Sequence, residues 1–204
     1  MNVYAKQVAA REGSLETRIL ASTFFALVTV ACSQIAIHLP ISPVPVTLQV
    51  LAVLLSGLVL GSRWGAVCQI EYLVMGAMGL PVFAGLAGGP AAFAGPSAGY
   101  LLGFVPGAYL AGLVFERLQG KTHFAAWAAG ACGIAGIYSV GAPWVGVWMG
   151  LAGGSVKSIL HWAWFAGVVP FFGIDLVKAF AASGLALGGR FGCGLAANFK
   201  RFLL

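Results

Sequence analysis

The chain reads as an all-α integral membrane protein, a bundle of six transmembrane helices with both termini in the cytoplasm. Three observations carry that reading: the scarcity of charge, the length of the apolar runs, and the side on which the basic residues fall. Of 204 residues, 60% are apolar and 8% are charged, where a soluble domain carries about 25% charged residues. Mean hydropathy is +0.96. So few charges cannot clothe a water-soluble surface. The net charge of +6 does not point to nucleic acid, because a phosphate-binding face needs clustered Lys and Arg; here they are spread between apolar runs. A basic excess in a membrane protein marks its cytoplasmic loops.

Each span follows from charges and from Pro or Gly clusters. Residues 1–18 carry Lys6, Arg11, Glu12, Glu16 and Arg18 without an apolar stretch, and read as a cytoplasmic segment with no cleavable signal peptide. The first run, Ile19–Leu39, is uncharged and long enough to cross a bilayer core. Pro40, Pro43 and Pro45 then break the helix. Val46–Leu60 is a shorter second run and Trp64–Leu80 the third, with Arg63 at the turn between them. Pro81–Ala98 is a long loop of Gly, Ala, Pro and Phe with no charge, expected to lie outside and to fold back over the bundle. Gly99–Phe115, Phe124–Met149 and Phe171–Leu187 complete six spans; 151–169 reads as interfacial, and a bend is expected near Pro143. Five spans would result if the second and third runs formed a re-entrant hairpin. Residues 190–204 form a basic cytoplasmic tail, and the whole of 1–204 reads as one domain.

Orientation follows from counting. With the termini inside, Lys6, Arg11, Arg18, Arg63, Arg117, Lys121, Arg190, Lys200 and Arg201 face the cytoplasm, nine of the eleven basic residues. Lys157 alone falls outside, and Lys178 lies within a helix. That bias sets a multi-pass topology in the cell membrane. Trp64 and Trp127 fall at the inner interface, and Trp144, Trp148, Trp162 and Trp164 at the outer one. Glycine is abundant, 30 residues, and Gly95, Gly99, Gly103, Gly107 and Ala111 recur every four residues, a pattern for close helix packing in lipid. Gly146-Gly150-Gly154 and Gly184-Gly188 repeat it; Ser22 and Ala26 form a lesser version.

Ionisable residues inside a membrane need a partner or a purpose. Glu71, Asp175 and Lys178 are the three here. Asp175 and Lys178, three apart, share a helix face. With Pro170 opening that helix from the outer side, they lie ~7 Å and ~12 Å in, at 1.5 Å per residue, well placed for a polar ligand. Thr47 and Gln49 are expected in the first turn of the second helix at the same end, with Phe83, Phe93 and Tyr100 as apolar cover. Glu71 reads as a bundle hydrogen-bonding group, with a proton-relay role as the alternative.

Other motifs carry no chemistry. Gly120-Lys121-Thr122 ends like a phosphate-binding loop, but Phe115 stands where the first glycine is required, after a helix instead of a strand. His38, His123 and His161 have no metal-ligand spacing and read as interfacial. Cys32, Cys68, Cys132 and Cys193 have no C-x-x-C spacing and read as inert. No nucleophile motif is present, so the chain is not expected to be an enzyme.

Four blocks, in order, then become informative: Pro45-Val46-Thr47-Leu48-Gln49; Tyr72-Leu73 continuing to Gly79-Leu80-Pro81-Val82-Phe83-Ala84-Gly85; Gly95-Pro96 with Gly99-Tyr100-Leu101-x-Gly103-Phe104; and Pro170-Phe171 with Asp175-Leu176-Val177-Lys178-Ala179. In these the chain resembles the biotin-specific substrate-binding subunits of energy-coupling factor transporters, the BioY family. The resemblance implies a six-helix subunit that captures biotin from outside, with Asp175, Lys178, Gln49, Thr47, Phe83 and Tyr100 at the site and no cofactor. It also implies a transmembrane coupling subunit and two cytoplasmic ATPases, docked partly at Ser22 and Ala26. A proton-coupled carrier working through Glu71, and a structural subunit without a ligand, are the alternatives.

Overall fold

A computed structural model describes residues 14–119, 122–153 and 156–202. Lys6, Arg11 and Lys121 lie outside the described residues, as do the side chains of Lys157, Arg190, Lys200 and Arg201. The described chain is helical apart from one short ladder and the loops. We number the helices α1 (Leu15–Ser33), α2 (Gln49–Leu60), α3 (Ser62–Ala77), α4 (Ala98–Arg117), α5 (His123–Gly153), α6 (Val156–Phe165) and α7 (Val169–Phe202). Strands β1 (Ala36–Ile37) and β2 (Val46–Thr47) pair antiparallel, Ala36 with Thr47 and Ile37 with Val46.

Local chemistry accounts for the boundaries. Ser14 caps α1, its hydroxyl accepting from Thr17 N, as hydroxyl residues do at helix starts. A single residue, Gly61 at φ 87°, ends α2 and starts α3, a conformation that favours glycine. The exposed amide of Ser62 is then met from another helix: Glu116 of α4 accepts from Ser62 N at 2.9 Å and from Ser62 Oγ at 3.0 Å. A carboxylate at a helix N-terminus is also favoured by the helix dipole.

Two expectations are corrected here. The first helix stops at Ser33, short of Leu39, because the chain turns there into the β1–β2 ladder. Thr47 is in β2 and not in the first turn of a helix; Gln49 is the first helical residue.

Four stretches are long and apolar enough to cross a membrane: Leu15–Ser33, Ala98–Arg117, His123–Gly150 and Ser158–Gly188. Gln49–Leu60 is a shorter apolar helix. At 1.5 Å per residue, α2 and α3 span about 18 and 24 Å, against a hydrocarbon core of about 30 Å. Large apolar side chains cover the outside, among them Leu20, Phe24 and Leu27 on α1 and Phe172, Val177 and Phe180 on α7. So wide an apolar surface is stable only in lipid. The chain is a membrane protein.

Inside, small residues let backbones meet. A Cβ on Gly103 would stand 2.6 Å from Ile137 O of α5, and one on Gly57 2.3 Å from Ala108 O of α4. Gly146 and Gly150 give the same close passage to α6. Gly184 and Gly188 meet nothing within 4 Å, so that stripe does not pack inside the chain as the spacing suggests. The core fills the space around α2 and α4, with Leu54, Leu58, Tyr72, Phe104, Phe115 and Ile137 buried.

Ser22 and Ala26 require a correction too. Both are fully buried, and Ser22 Oγ donates to Glu71 Oε1 of α3 at 2.6 Å. Ser22 thus meets the chain's own α3, and with Ala26 equally buried the pair presents no free face for a partner. The exposed face of α1 is the bulky one of Leu20, Phe24 and Leu27.

Candidate ligand-binding site

One end of the bundle gathers the β1–β2 hairpin, the start of α2, the loop between α3 and α4, and the start of α7. Between them lies a cavity of about 290 Å³, just below the usual range for small-molecule sites, about 300–1,000 Å³. Thr47, Gln49, Phe83, Tyr100, Asp175 and Lys178 all line it. β2 with the start of α2, the α3–α4 loop, the start of α4 and α7 together supply the six residues that the sequence singles out.

The floor is an ion pair. Lys178 Nζ donates to Asp175 Oδ1 at 2.7 Å, one turn along α7. Asp175 is 2% exposed and Lys178 6%. Tyr138 of α5 donates its hydroxyl to Asp175 Oδ2 at 2.7 Å. Each carboxylate oxygen thus holds one donor and keeps room for another, while the ammonium keeps two further donors. The pair presents donors and acceptors side by side at near-zero net charge.

A polar chain forms one wall. Thr47 Oγ1 donates to Gln49 Oε1 at 2.9 Å and accepts from Gln49 N at 3.3 Å, taking one of the first free amides of α2. Gln49 Nε2 donates to Tyr72 Oη at 2.5 Å, and Tyr72 donates on to Val82 O at 3.2 Å. Ser33 Oγ donates to that same carbonyl at 2.8 Å. The hairpin, α2, α3, the loop and α1 are tied by one run of hydrogen bonds, which fixes the Gln49 amide and leaves it one donor and one acceptor position.

Aromatic rings form the rest. Phe83 stacks edge-on against Tyr72 and Phe93, with ring centroids 5.4 and 5.7 Å apart. It lies flat over Gly76, where a Cβ would fall 1.9 Å from the ring; only glycine leaves room for this seating. Tyr100 packs against Tyr138 and Phe171 and spends its hydroxyl on Gly167 O. The uncharged loop does fold back, in two 3₁₀ turns, Ala84–Leu86 and Pro90–Ala94. Gln34 holds it from α1, donating to Phe83 O at 3.1 Å and accepting from Leu86 N at 3.2 Å. Trp144 holds it from α5, donating to Gly95 O at 2.9 Å.

Tyr138, Gln34 and His38 belong to this region without being singled out in the sequence, and Tyr72, which opens the second informative block, is given no role in the site there. Tyr138 and Tyr72 sit inside apolar runs where nothing marks which helix they face. His38 lines the cavity from the hairpin; its neighbouring prolines were the available signal. No group of three or more His, Cys, Asp or Glu able to hold a metal occurs among the described residues. Glu71 and Lys178 do not meet: Glu71 stands on α3 with Ser22 and is no part of the cavity.

Comparison with known proteins agrees with this architecture. A sequence profile described as the BioY family matches residues 6–191. The biotin transporter BioY of Thermotoga maritima is 39% identical over 170 residues, covering 83% of this chain and 92% of that protein. The biotin transporter BioY of Rhizobium etli is 37% identical, covering 83% and 91%. Among solved structures, the S-component for biotin from an ECF-type ABC transporter superposes with a TM-score of 0.74 over 85% of this chain and 90% of that one. At 23% identity that likeness bears on the fold.

Proposed function

This chain belongs to the BioY family, and on that premise we propose that it captures biotin in the cavity at the hairpin end and serves its uptake as the substrate-binding subunit of an ATP-driven transporter. The matched relatives are transporters and not enzymes. The observation that carries the proposal is the convergence of Asp175, Lys178, Gln49, Thr47, Phe83 and Tyr100 on one cavity. Biotin joins a neutral ureido ring, an apolar thiophane and chain, and a carboxylate. The floor pair matches the ureido group: Asp175 accepts its N–H, and Lys178 donates to its carbonyl. The rings of Phe83 and Tyr100 cover the thiophane. A buried site that pairs such groups rejects analogues lacking them, because its own polar atoms would be left unsatisfied.

Topology enters the same proposal. Arg18, Arg63 and Arg117 stand at the end of the bundle opposite the cavity, by the order of the helices. With that end cytoplasmic, the cavity opens outward from a multi-pass plasma-membrane protein of six spans, α2 and α3 being the short ones. Residues 1–204 act as one transmembrane unit. A transmembrane coupling subunit and two ATPases supply the energy, since no complete nucleotide-binding motif occurs in the chain. Their docking surface is not the face of Ser22 and Ala26.

Calorimetric titration of the purified chain with biotin tests the reading. Tight one-to-one binding is expected, with more than a hundredfold loss in Asp175→Asn; failure of the wild type to bind biotin overturns it. Uptake by cells lacking every ATPase partner would shift the energy source to the carrier alternative. One observation gives that alternative content: Glu71 Oε2 is buried without a hydrogen-bond partner.

A further inference from the structure

We propose that His38 takes the carboxylate of the ligand at the mouth of the cavity, its ring N–H donating to a carboxylate oxygen. The inference rests on the reading of the cavity as a biotin site and deepens it by assigning the two polar ends of the ligand to different residues.

Charge inside the cavity decides the assignment. A second anion seated on the floor would meet Asp175, whose carboxylate already neutralises Lys178 at 2.7 Å. With both groups almost wholly buried, that repulsion is poorly screened. The floor therefore suits a neutral group that both donates and accepts, and the carboxylate must lie elsewhere. Titratable groups lining the cavity are His38, Tyr100, Asp175 and Lys178. Tyr100 has given its hydroxyl to Gly167 O. Among the described residues, His38 is then the one cation-forming group lining the cavity that is free of the floor pair.

Its position fits the role. His38 is exposed while lining the cavity, so it stands at the opening, where a carboxylate keeps part of its hydration. The hairpin that carries it is fixed: Ser42 Oγ donates to Ala166 O at 2.8 Å and accepts from Val44 N at 3.2 Å, and three prolines stiffen the turn. Ala84, Ala87, Ala92 and Pro96 line the same cavity without a charged side chain, and Ser97 adds only a neutral hydroxyl. An imidazole ring carries an N–H that donates to a carboxylate oxygen.

The test is calorimetric titration of the purified full chain with biotin and with biotinamide, whose tail is neutral. The wild type is expected to bind biotin about fivefold more tightly than biotinamide, the size of a partly exposed charged contact. His38→Ala should bind the two compounds alike, and His38→Lys should keep the preference for biotin. A preference for biotin that survives in His38→Ala, or no preference in the wild type, overturns the assignment while leaving the biotin reading in place. Absence of binding for both compounds overturns the biotin reading, and this assignment with it.

Discussion

The bundle holds two carboxyl groups well inside its helical framework, and it houses them in opposite ways. Asp175 has a donor on each oxygen, from Lys178 and from Tyr138, and lines a cavity. Glu71 has one donor, Ser22, and its second oxygen is buried and unpartnered; Arg18 Nε, one turn from Ser22 on α1, is buried and unpartnered as well. A fully satisfied polar cluster in a low-dielectric setting is held rigidly, while a half-satisfied one keeps an unmet demand. The difference separates preorganisation from tension: the first site waits in the geometry a neutral, two-sided ligand needs, and the second has polar atoms still to be matched.

The largest way to break this comparison is to remove charge from the satisfied site. Asp175→Asn or Lys178→Met alone leaves an uncompensated buried charge, so each is expected to lower stability by about 3–5 kcal/mol. The double variant removes both charges and should recover most of that loss, yet bind no biotin. Thermal unfolding of the ligand-free protein in detergent, with calorimetry on the folded fraction, separates the two effects. Single variants as stable as the wild type would mean that the pair is not sealed from water, and the contrast with Glu71 would collapse.

A smaller perturbation reaches the same carboxylate through its other oxygen. Tyr138→Phe keeps the ring against Tyr100 and deletes the hydroxyl that donates to Asp175 Oδ2. Hydrogen bonds to charged groups contribute about 1.5–3 kcal/mol, so biotin affinity should fall by roughly tenfold with the fold intact. Unchanged affinity would show that Lys178 alone orients Asp175, and Tyr138 would cease to count as a positioning residue.

Much of this architecture was legible in the sequence because lipid imposes simple rules. Uncharged runs and Pro or Gly breaks located the starts of the long helices within a few residues, while α1 ends before the expected Leu39 and α7 runs past the expected Leu187 to Phe202. Of the three ionisable residues within helices, Asp175 and Lys178 form the floor of the cavity and Glu71 does not reach it. The failures share a cause, which is that spacing along one helix does not say which neighbour it faces. Ser22 and Ala26 announced close approach, but the helix that approaches is the chain's own α3. Tyr138 reaches Asp175 only because α5 crosses α7 at that level. The ladder of Ala36–Ile37 with Val46–Thr47 was hidden because two-residue strands have no readable alternation, and an apolar run ending in prolines continues the look of a helix.

The least forceful perturbation tests the other half of the comparison. Glu71→Gln keeps an oxygen able to accept from Ser22 and replaces the unpartnered oxygen by an amide, which is neutral at every pH and costs less to leave unpaired in an apolar setting than an ionised carboxyl group. Stability should therefore be unchanged or raised by about 1 kcal/mol, within the usual range for relieving one unsatisfied polar atom. Biotin binding should not move, because Glu71 does not line the cavity. Ser22→Ala supplies the opposite sign: it deletes the single donor to Glu71 and should destabilise by about 1–3 kcal/mol. Thermal unfolding of the two variants side by side reads the difference. A clear loss of stability in Glu71→Gln would mean that the carboxyl group is matched by Arg18 across α1 and α3 in the membrane, making this second site as satisfied as the first. Loss of uptake with stability and binding intact would instead move Glu71 into the transport cycle, as the carrier alternative requires.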